Sequence, residues 1–314
     1  MLAEIVDLPH GRPSHDCFSR VFRLLDPAEL EAALTRFAKA LRTALGLGAP
    51  RGVVAIDAKS LRHGYERGRA CMPPLMVGVW DAETRLSIAA RRAAGGDEVG
   101  TTLEVLKSLA LKGCIVTADA LHCHPRMAAG IRATGAHYVL GLNGNHGPLH
   151  RAALAAFAPA DAAGSAAGYE QVERGHDRLE RRRVSVIAAP ADAPAFPALT
   201  ALARIEAERQ LGSGKIETDT RYIALSKTLS PRRVLEVTRA HWSIENHLHW
   251  SLDVVFFEDD ARTRKNYAPE NLSVIRRMAL DILRSHPDTR SISRKRKRAL
   301  WSKEFFFELF THMR

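Results

Sequence analysis

The stretch CIVTADALHCHP (114–125) ends an apolar run at Asp119 and continues into two histidines on either side of a cysteine. A second apolar run, GVVAID (52–57), also ends in an acid, Asp57. If the two runs are neighbouring strands of one sheet, both carboxylates project from the same edge. Adjacent carboxylates repel each other unless a divalent cation lies between them, and Mg²⁺ prefers oxygen ligands. The pattern therefore predicts a metal site suited to phosphoryl transfer.

Two other interpretations compete with this one. An acid directly after a strand often serves only as a turn or helix cap. The neighbouring His122, Cys123 and His124 suggest zinc, but consecutive side chains cannot all converge on one ion, and zinc sites need spaced pairs of ligands. The sequence has no second Cys/His pair with finger-like spacing. We therefore assign the chemistry to Asp119 rather than to the histidines and the cysteine.

A third acid is expected in RAHWSIENHLHWSLD (239–253), a segment predicted to be helical. Glu245 borders an apolar stripe of this helix, so packing of the stripe on the core would fix the direction of the carboxylate. A carboxylate at such a position can reach over the end of a sheet, but a Glu there is more commonly just a solvent-exposed residue of an amphipathic helix, and this is the alternative. The stripe consists of Val237, His241, Ile244 and Leu248.

Three acids just downstream, Glu258, Asp259 and Asp260, are alternatives to Glu245. Adjacent acids point in diverging directions, whereas a ligand held by packing is pre-organised. We therefore favour Glu245. The downstream acids also have basic residues near them in sequence, namely Arg262, Arg264 and Lys265.

The elements that would position these acids alternate between strands and helices, which indicates an α/β fold. The first fifty residues are predicted to be helical, with caps at Ser14 or Asp16 and at Asp26. Short strands are predicted from about 168 to 226, and helices from Pro231 onward. Between these regions, strands are predicted at 52–57, 74–80, 85–92, 114–119 and 136–142, and helices at 97–113 and 125–134.

Composition narrows the class of protein. The chain of 314 residues has a formal net charge of +11, which indicates a polyanionic partner such as nucleic acid, although a basic enzyme without one is the alternative. Its four cysteines form no CxxC pair, so we expect a reducing, cytoplasmic setting. No apolar run reaches the roughly 18 residues of a membrane span, and no signal peptide is recognisable.

Two basic segments are candidates for contact with DNA phosphates. In ERGHDRLERRRV, a predicted hairpin, Arg178 and Arg182 lie on one strand face and suit bidentate phosphate contacts. The alternative for both segments is a charged face or tail exposed to solvent. The second segment, SRKRKRALW, brings together Arg294, Lys295, Arg296, Lys297 and Arg298.

Seven motifs in order along nearly the whole chain resemble those of the H-repeat-associated, ISAs-type insertion-sequence transposases. These belong to the DDE superfamily, whose catalytic domain is RNase H-like. The motifs are LPHGRPSHDCFSRVFRLLDP, VVAIDAKSLR, LKGCIVTADALHC, YVLGLNGNHGPLH, ERGHDRLERRRV, RYIALS and RAHWSIENHLHWSLDVVFFEDDARTRKNYAPENLSVIRRMAL.

The resemblance implies a fold and a domain organisation. Residues 51–314 would form an α/β, RNase H-like DDE catalytic domain, with a mixed five-stranded sheet flanked by helices. A β-rich insertion at about 165–228 would separate the second catalytic acid from the third. Residues 1–50 would be a helical N-terminal segment, the remnant of a longer N-terminal domain, in an N-terminally truncated copy.

The resemblance also implies an activity. Asp57, Asp119 and Glu245 would be the DDE acids and the ligands of Mg²⁺ or Mn²⁺, with two ions bound. The partners would be terminal inverted repeats and target DNA, bound by a dimer on paired ends, in the cytoplasm and on the nucleoid. Two alternatives stay open: a non-catalytic DNA-binding transposase remnant, and an RNase H-like metal-dependent nuclease that cuts without joining.

Overall fold

The computed structural model describes residues 4, 6–65, 72–163, 167–175 and 178–312. His176 and Asp177, at the turn of the predicted hairpin, lie outside this part. The strands in it are β1 (Val53–Ser60), β2 (Leu75–Asp81), β3 (Leu86–Arg92), β4 (Ile115–Ala118), β5 (His137–Leu142), β6 (Ala167–Gly175), β7 (Arg178–Ala188), β8 (Ala201–Leu211) and β9 (Ile216–Leu225).

The helices of the described part follow the predicted order. Two π-helices, Ile244–His249 and Ser251–Val255, lie between the α-helices Pro231–His241 and Ala268–Ser285. Short 3₁₀ turns lie at Ala94–Gly96, Ala120–His122 and Gly144–His146. None of the helices described is both long and apolar enough to cross a bilayer. The α-helices are α1 (His15–Leu24), α2 (Pro27–Ala44), α3 (Glu98–Lys107), α4 (Pro125–Ala133), α5 (Gly147–Ala163), α6 (Pro231–His241), α7 (Ala268–Ser285), α8 (Ile292–Trp301) and α9 (Lys303–Thr311).

The described strands belong to one mixed sheet, in the order β3-β2-β1-β4-β5-β9-β8-β7-β6. The chain divides into two compact units. The first comprises Met1–Ala49, Ala58–Val105 and Ile244–Arg314, and the second comprises Pro50–Asp57 and Leu106–Ser243.

In the second unit, β1 pairs in parallel with β4, and β4 with β5. β5 pairs antiparallel with β9, which begins an antiparallel ribbon through β8 and β7 to β6. The parallel strands are apolar almost throughout, as expected where both faces of a sheet are covered. Helix α4 contacts β5, and α6 contacts β4. The fully buried side chains of these strands include Val54, Val116, Tyr138 and Leu140.

In the first unit, β2 and β3 form an antiparallel pair, and α2 and α7 both contact β3. Helix α1 begins as predicted at Ser14, whose hydroxyl accepts a hydrogen bond from the backbone N–H of Cys17. Asp26 caps α2 in the same way, ahead of Pro27. The buried cluster between these elements consists of Leu34, Leu61, Met76, Ala90 and Val274.

Residues 239–253 do not form the single regular helix that the sequence predicted. Helix α6 ends at His241, and the chain then forms the two π-helices. The buried residues Ile244, Leu248 and Leu252 recur at every fourth position. This interval exceeds the about 3.6-residue turn of an α-helix, so a wider turn keeps them on one face.

Asp281 of α7 is a fully buried acid in the first unit. Both of its carboxylate oxygens lie 3.2 Å from the backbone N–H of Ser87, which donates to them. Burial raises the pKa of Asp281 to about 8, although this N–H and the nearby Arg284 act to lower it. The folded protein therefore binds a proton that the unfolded chain releases at neutral pH.

This pKa predicts how the free energy of unfolding depends on pH. Because the folded-state pKa of Asp281 lies above the unfolded value of about 3.9, its contribution is present below about pH 4 and is lost as pH rises through about 8. Asp281→Asn should flatten this decline in urea unfolding between pH 5 and 8.5. Asp192→Asn, at an exposed acid, is the control, and equal slopes in both variants would contradict the assignment.

Candidate functional site

Asp57 and Asp119 lie on neighbouring parallel strands, but β1 continues to Ser60 instead of ending at Asp57 as predicted, whereas Asp119 directly follows the end of β4. Val53, Val54 and Ala55 of β1 pair with Ile115, Val116 and Thr117 of β4, so the predicted parallel pairing is confirmed. Continuing this register by two residues brings Asp57 opposite Asp119. Side chains two residues apart on a strand share a face. The two aspartates therefore lie opposite each other on the same face of the sheet.

The Asp119 carboxylate lies where a buried ring meets solvent. Its backbone is still extended, with φ −70° and ψ −177°, and it caps the 3₁₀ turn that follows. Oδ1 accepts hydrogen bonds from the backbone N–H of Leu121 at 3.1 Å and from Nδ1 of His122 at 2.9 Å. The His122 side chain is 1% exposed and that of Asp119 is 50% exposed. Asp119 is thus a cap, as the alternative interpretation expected, and it also presents a carboxylate to solvent.

Two histidines shape the electrostatics around Asp119. Burial acts to raise the pKa of Asp119, but the hydrogen bond and the charge of His122 outweigh it, so this pKa lies below its ordinary value. Burial lowers the pKa of His241 to about 4 in spite of the nearby Asp119. The His241 ring is therefore neutral at pH 7, with Nδ1 3.1 Å from the Thr117 hydroxyl. Asp119 remains ionised there.

The roles of both histidines were not predicted from the sequence. His122 was considered as a zinc ligand and excluded, and His241 was considered only as part of an apolar stripe. The spacing Asp-x-x-His at 119–122 is the one local signal that could have indicated the first contact, since a cap and a residue three positions on come close together. The position of His241 depends on α6 contacting β4, which no local pattern encodes.

Glu245 lies in the first turn of the π-helix Ile244–His249 and is exposed. Its neighbours Ile244 and Leu248 are fully buried, as the predicted stripe requires. Glu245 belongs to the first unit, whereas Asp57 and Asp119 belong to the second. Its role as third ligand stays a prediction.

The donor chemistry of the two aspartates suits a hard divalent cation. Within the described part of the chain, no three Asp, Glu, His or Cys side chains are grouped so that they could hold a metal ion. Mg²⁺ needs only one or two protein carboxylates, because water and substrate phosphates complete its coordination. The ionised Asp119 and the carboxylate of Asp57 on the neighbouring strand fit that requirement.

Asp259 and Glu258 have basic partners, but these are distant from them in sequence and differ from the nearby Arg262, Arg264 and Lys265. The Lys59 ammonium lies 2.6 Å from the Asp259 carboxylate and 2.8 Å from that of Asp253. The Glu258 side chain is fully buried, with its carboxylate 3.7 Å from the Arg277 guanidinium. Asp260 is exposed. Asp259 and Glu258 therefore take part in the internal charge network of the first unit.

The basic run on α8 divides into structural and exposed residues. Lys295 is buried, and its ammonium donates to the carbonyls of Leu283 and His286 at 2.9 and 2.8 Å, at the end of α7. Arg294 and Lys297 are exposed. The other two side chains are engaged, Arg296 with the carbonyl of Val255 and Arg298 with the Asp288 carboxylate and the Phe305 ring.

The predicted hairpin is formed by β6 and β7, and its two candidate arginines differ. Arg182 lies between the carboxylates of Glu180 at 2.6 Å and Glu173 at 3.0 Å, with 19% of its side chain exposed. Arg178 is exposed, and within the described part of the hairpin it makes no ion pair. It lies beside an open hollow bordered by Arg174 and the Gly212–Gly214 turn. Arg178 is thus exposed to solvent, whereas the charge of Arg182 is compensated.

These features define a mixed α/β protein with one acid within a parallel strand, another directly after the neighbouring strand, and exposed basic residues. Residues 48–282 match the family model described as Transposase DDE domain. Because the match covers most of the chain, the protein belongs to this family. The relationship inferred from the sequence motifs is confirmed.

Several curated relatives support the same assignment. The putative protein YbfL of Escherichia coli is 29% identical over 294 residues, which is 90% of this chain and 76% of that protein. The H repeat-associated putative transposase YhhI of the same organism is 28% identical over 294 residues, with the same coverage. An uncharacterized protein in the dhlA 3′ region of Xanthobacter autotrophicus is 33% identical over 237 residues, which is 73% of this chain and 78% of that one.

Among solved structures, a piggyBac transposase synaptic complex with hairpin DNA aligns with 87% of this chain. This chain covers 59% of that one, at 10% identity and a TM-score of 0.36. A likeness this low carries no argument about the site.

The burial of Lys295 and the exposure of Lys297 on α8 predict that the two residues contribute differently to stability. Lys295→Met should lower the free energy of unfolding by about 1–3 kcal/mol, because it leaves two buried carbonyls without their charged donor. Lys297→Met, two positions on, is the matched control and should change it by less than about 0.5 kcal/mol. Urea unfolding measures both. Equal losses would mean that the Lys295 ammonium does not cap α7.

Proposed function

We propose that the protein is a DNA transposase that cleaves strands at insertion-sequence ends and joins them to target DNA by metal-dependent phosphoryl transfer. The observation that carries the proposal is the parallel register of β1 and β4, which when continued by two residues brings Asp57 opposite Asp119 in a chain of the Transposase DDE domain family. In this proposal water attacks the scissile phosphodiester first. The freed 3′-hydroxyl then attacks target DNA, with no covalent enzyme intermediate.

We infer that β1–β5 form the RNase H-like sheet. The parallel strands β1, β4 and β5 and the antiparallel pair β2–β3 support this arrangement. The ribbon β6–β9 lies in sequence between Asp119 and Glu245 and corresponds to the proposed β-rich insertion. It extends the same sheet, because β9 pairs with β5.

The roles of the acids follow from their surroundings. Asp57 and Asp119 would hold Mg²⁺ or Mn²⁺, with Glu245 as the third ligand. Two bound ions would activate the attacking oxygen and stabilise the leaving one. The hydrogen bond from His122 keeps Asp119 ionised, as a ligand must be, and the neutral His241 adds no positive charge that would oppose a cation.

The proposed nucleic-acid partners are the terminal inverted repeats of the element and target DNA, bound by a dimer on paired ends in the cytoplasm. Exposed basic residues supply the phosphate contacts: Arg178 of the hairpin, and Arg294 and Lys297 of α8. Arg182 and Lys295 are not proposed as phosphate contacts, because Arg182 is ion-paired and Lys295 is buried.

A strand-transfer assay on DNA that carries the element ends separates the proposal from its alternatives. Joined products support a transposase. Cleavage without joining would indicate an RNase H-like nuclease, and binding without cleavage would indicate a DNA-binding remnant.

The third ligand can be tested by substitution. Glu245→Gln should lower Mg²⁺-dependent cleavage about a thousandfold or more, since a metal supplies several kcal/mol of charge stabilisation to the transition state. End binding and thermal stability should stay close to wild type, because the side chain is exposed. Asp260→Asn is the matched control, an exposed downstream acid. Full cleavage by Glu245→Gln with loss in Asp260→Asn would show that the third ligand has been misassigned.

The two hairpin arginines should affect DNA binding differently. Arg178→Ala should reduce the slope of log affinity against log salt by about 0.9, the value for one lost phosphate contact. Arg182→Ala should leave the slope unchanged, because its charge is already paired with Glu173 and Glu180. Fluorescence anisotropy with labelled end DNA at several salt concentrations measures this. The reverse pattern would exclude Arg178 as a phosphate contact.

A further inference from the structure

The Asp119 carboxylate is anchored to the protein through Oδ1. This oxygen accepts hydrogen bonds from the N–H of Leu121 and from Nδ1 of His122. The backbone N–H of His122 also hydrogen-bonds to the carboxylate. These bonds fix the direction of the carboxylate, which has lone pairs on both oxygens with which to accept a ligand.

His122 can impose this orientation because its own position is fixed. The residue is fully buried, and it lies in the 3₁₀ turn that Asp119 itself caps. A ring packed in the interior cannot follow the carboxylate if Asp119 rotates, so rotation would break the 2.9 Å hydrogen bond. The Leu121 N–H adds a second bond to the same oxygen from the backbone of the turn.

His241 is a second ring close to the Asp119 carboxylate. The Nδ1 atom of this ring is engaged with the hydroxyl of Thr117, two residues before Asp119 on the same strand face. His241 and His122 are both close enough to Asp119 for their interaction to affect its pKa. Two rings held by separate elements, the 3₁₀ turn and α6, therefore border one carboxylate.

We propose that His122 is a positioning residue that turns Oδ1 of Asp119 to the protein and leaves Oδ2 as the atom that ligates the divalent cation. The inference rests on the proposed metal-dependent function. Carboxylates that bind metals are commonly held by hydrogen bonds from a second layer of residues, and loss of such a partner weakens metal binding by about 10- to 100-fold. The Nδ1–H donor, rather than the bulk of the ring, is the feature that matters.

The variants are chosen to separate the donor from the ring. In His122→Asn the amide nitrogen lies where Nδ1 lies, so the donor to Oδ1 is kept. In His122→Gln the amide extends toward the Nε2 position, so a polar group of similar size is kept but the donor is displaced. His122→Leu removes the donor and keeps an apolar volume. His124→Ala is the control, because His124 is exposed and caps α4 two residues further on.

The experiment measures Mn²⁺ affinity of the full chain without DNA, by electron paramagnetic resonance of the free ion, together with the thermal stability of each variant. Wild type should bind Mn²⁺, and Asp119→Asn should lose this binding. His122→Gln and His122→Leu should bind about 10- to 100-fold more weakly. His122→Asn and His124→Ala should retain the wild-type affinity.

Each other outcome overturns a specific statement. No Mn²⁺ binding by wild type, or unchanged binding by Asp119→Asn, would overturn the proposed metal site itself. Loss in Asp119→Asn with wild-type affinity in His122→Gln would overturn only the role of His122. Equal weakening in His122→Asn and His122→Gln would mean that the packed ring, and not its Nδ1–H, orients the carboxylate. Because both amide variants are polar and similar in size, this comparison holds even if His122→Leu fails to fold.

Discussion

The candidate site depends on the parallel pairing of β1 with β4. Both strands contribute buried apolar residues, with Val54, Ala55 and Val116 fully buried. A slip of one residue would turn every side chain of one strand to the opposite face and would separate the two aspartates. The register that buries these apolar residues is thus the register that puts Asp57 and Asp119 on the same face. Packing of the strands and alignment of the acids have one physical cause.

A second general feature of the structure is the pairing of its basic side chains within the protein. A net charge of +11 suggests a protein covered in free cations, yet many of the basic side chains are occupied. Arg182 lies between two glutamates, Lys59 between two aspartates, and Lys295 caps a helix end inside the first unit. Pairing removes these charges from the long-range field that attracts a polyanion. The surface that can meet DNA is therefore narrower than the composition indicates.

The environment of Asp119 combines a structural role with a chemical one. A side chain that caps a turn must be an acceptor with a fixed direction, and a metal ligand must be the same. The hydrogen bonds from the Leu121 N–H and from Nδ1 of His122 both end on Oδ1, and under the proposal Oδ2 is the ligand atom. The role of Asp119 as a cap is therefore compatible with its proposed role as a metal ligand.

Local sequence was sufficient for the elements and the candidate acids. Apolar runs predicted the strands that carry Asp57 and precede Asp119, although β1 continues past Asp57 to Ser60, and Ser14 and Asp26 predicted the helix starts, because these signals depend on neighbours a few residues apart. Only the tertiary structure decided that Lys59 pairs with Asp259, 200 residues away, that Lys295 is buried, and that His241 lies beside Asp119. The partner of a charged or polar side chain depends on which distant elements pack together, and periodicity along one segment carries no information about that.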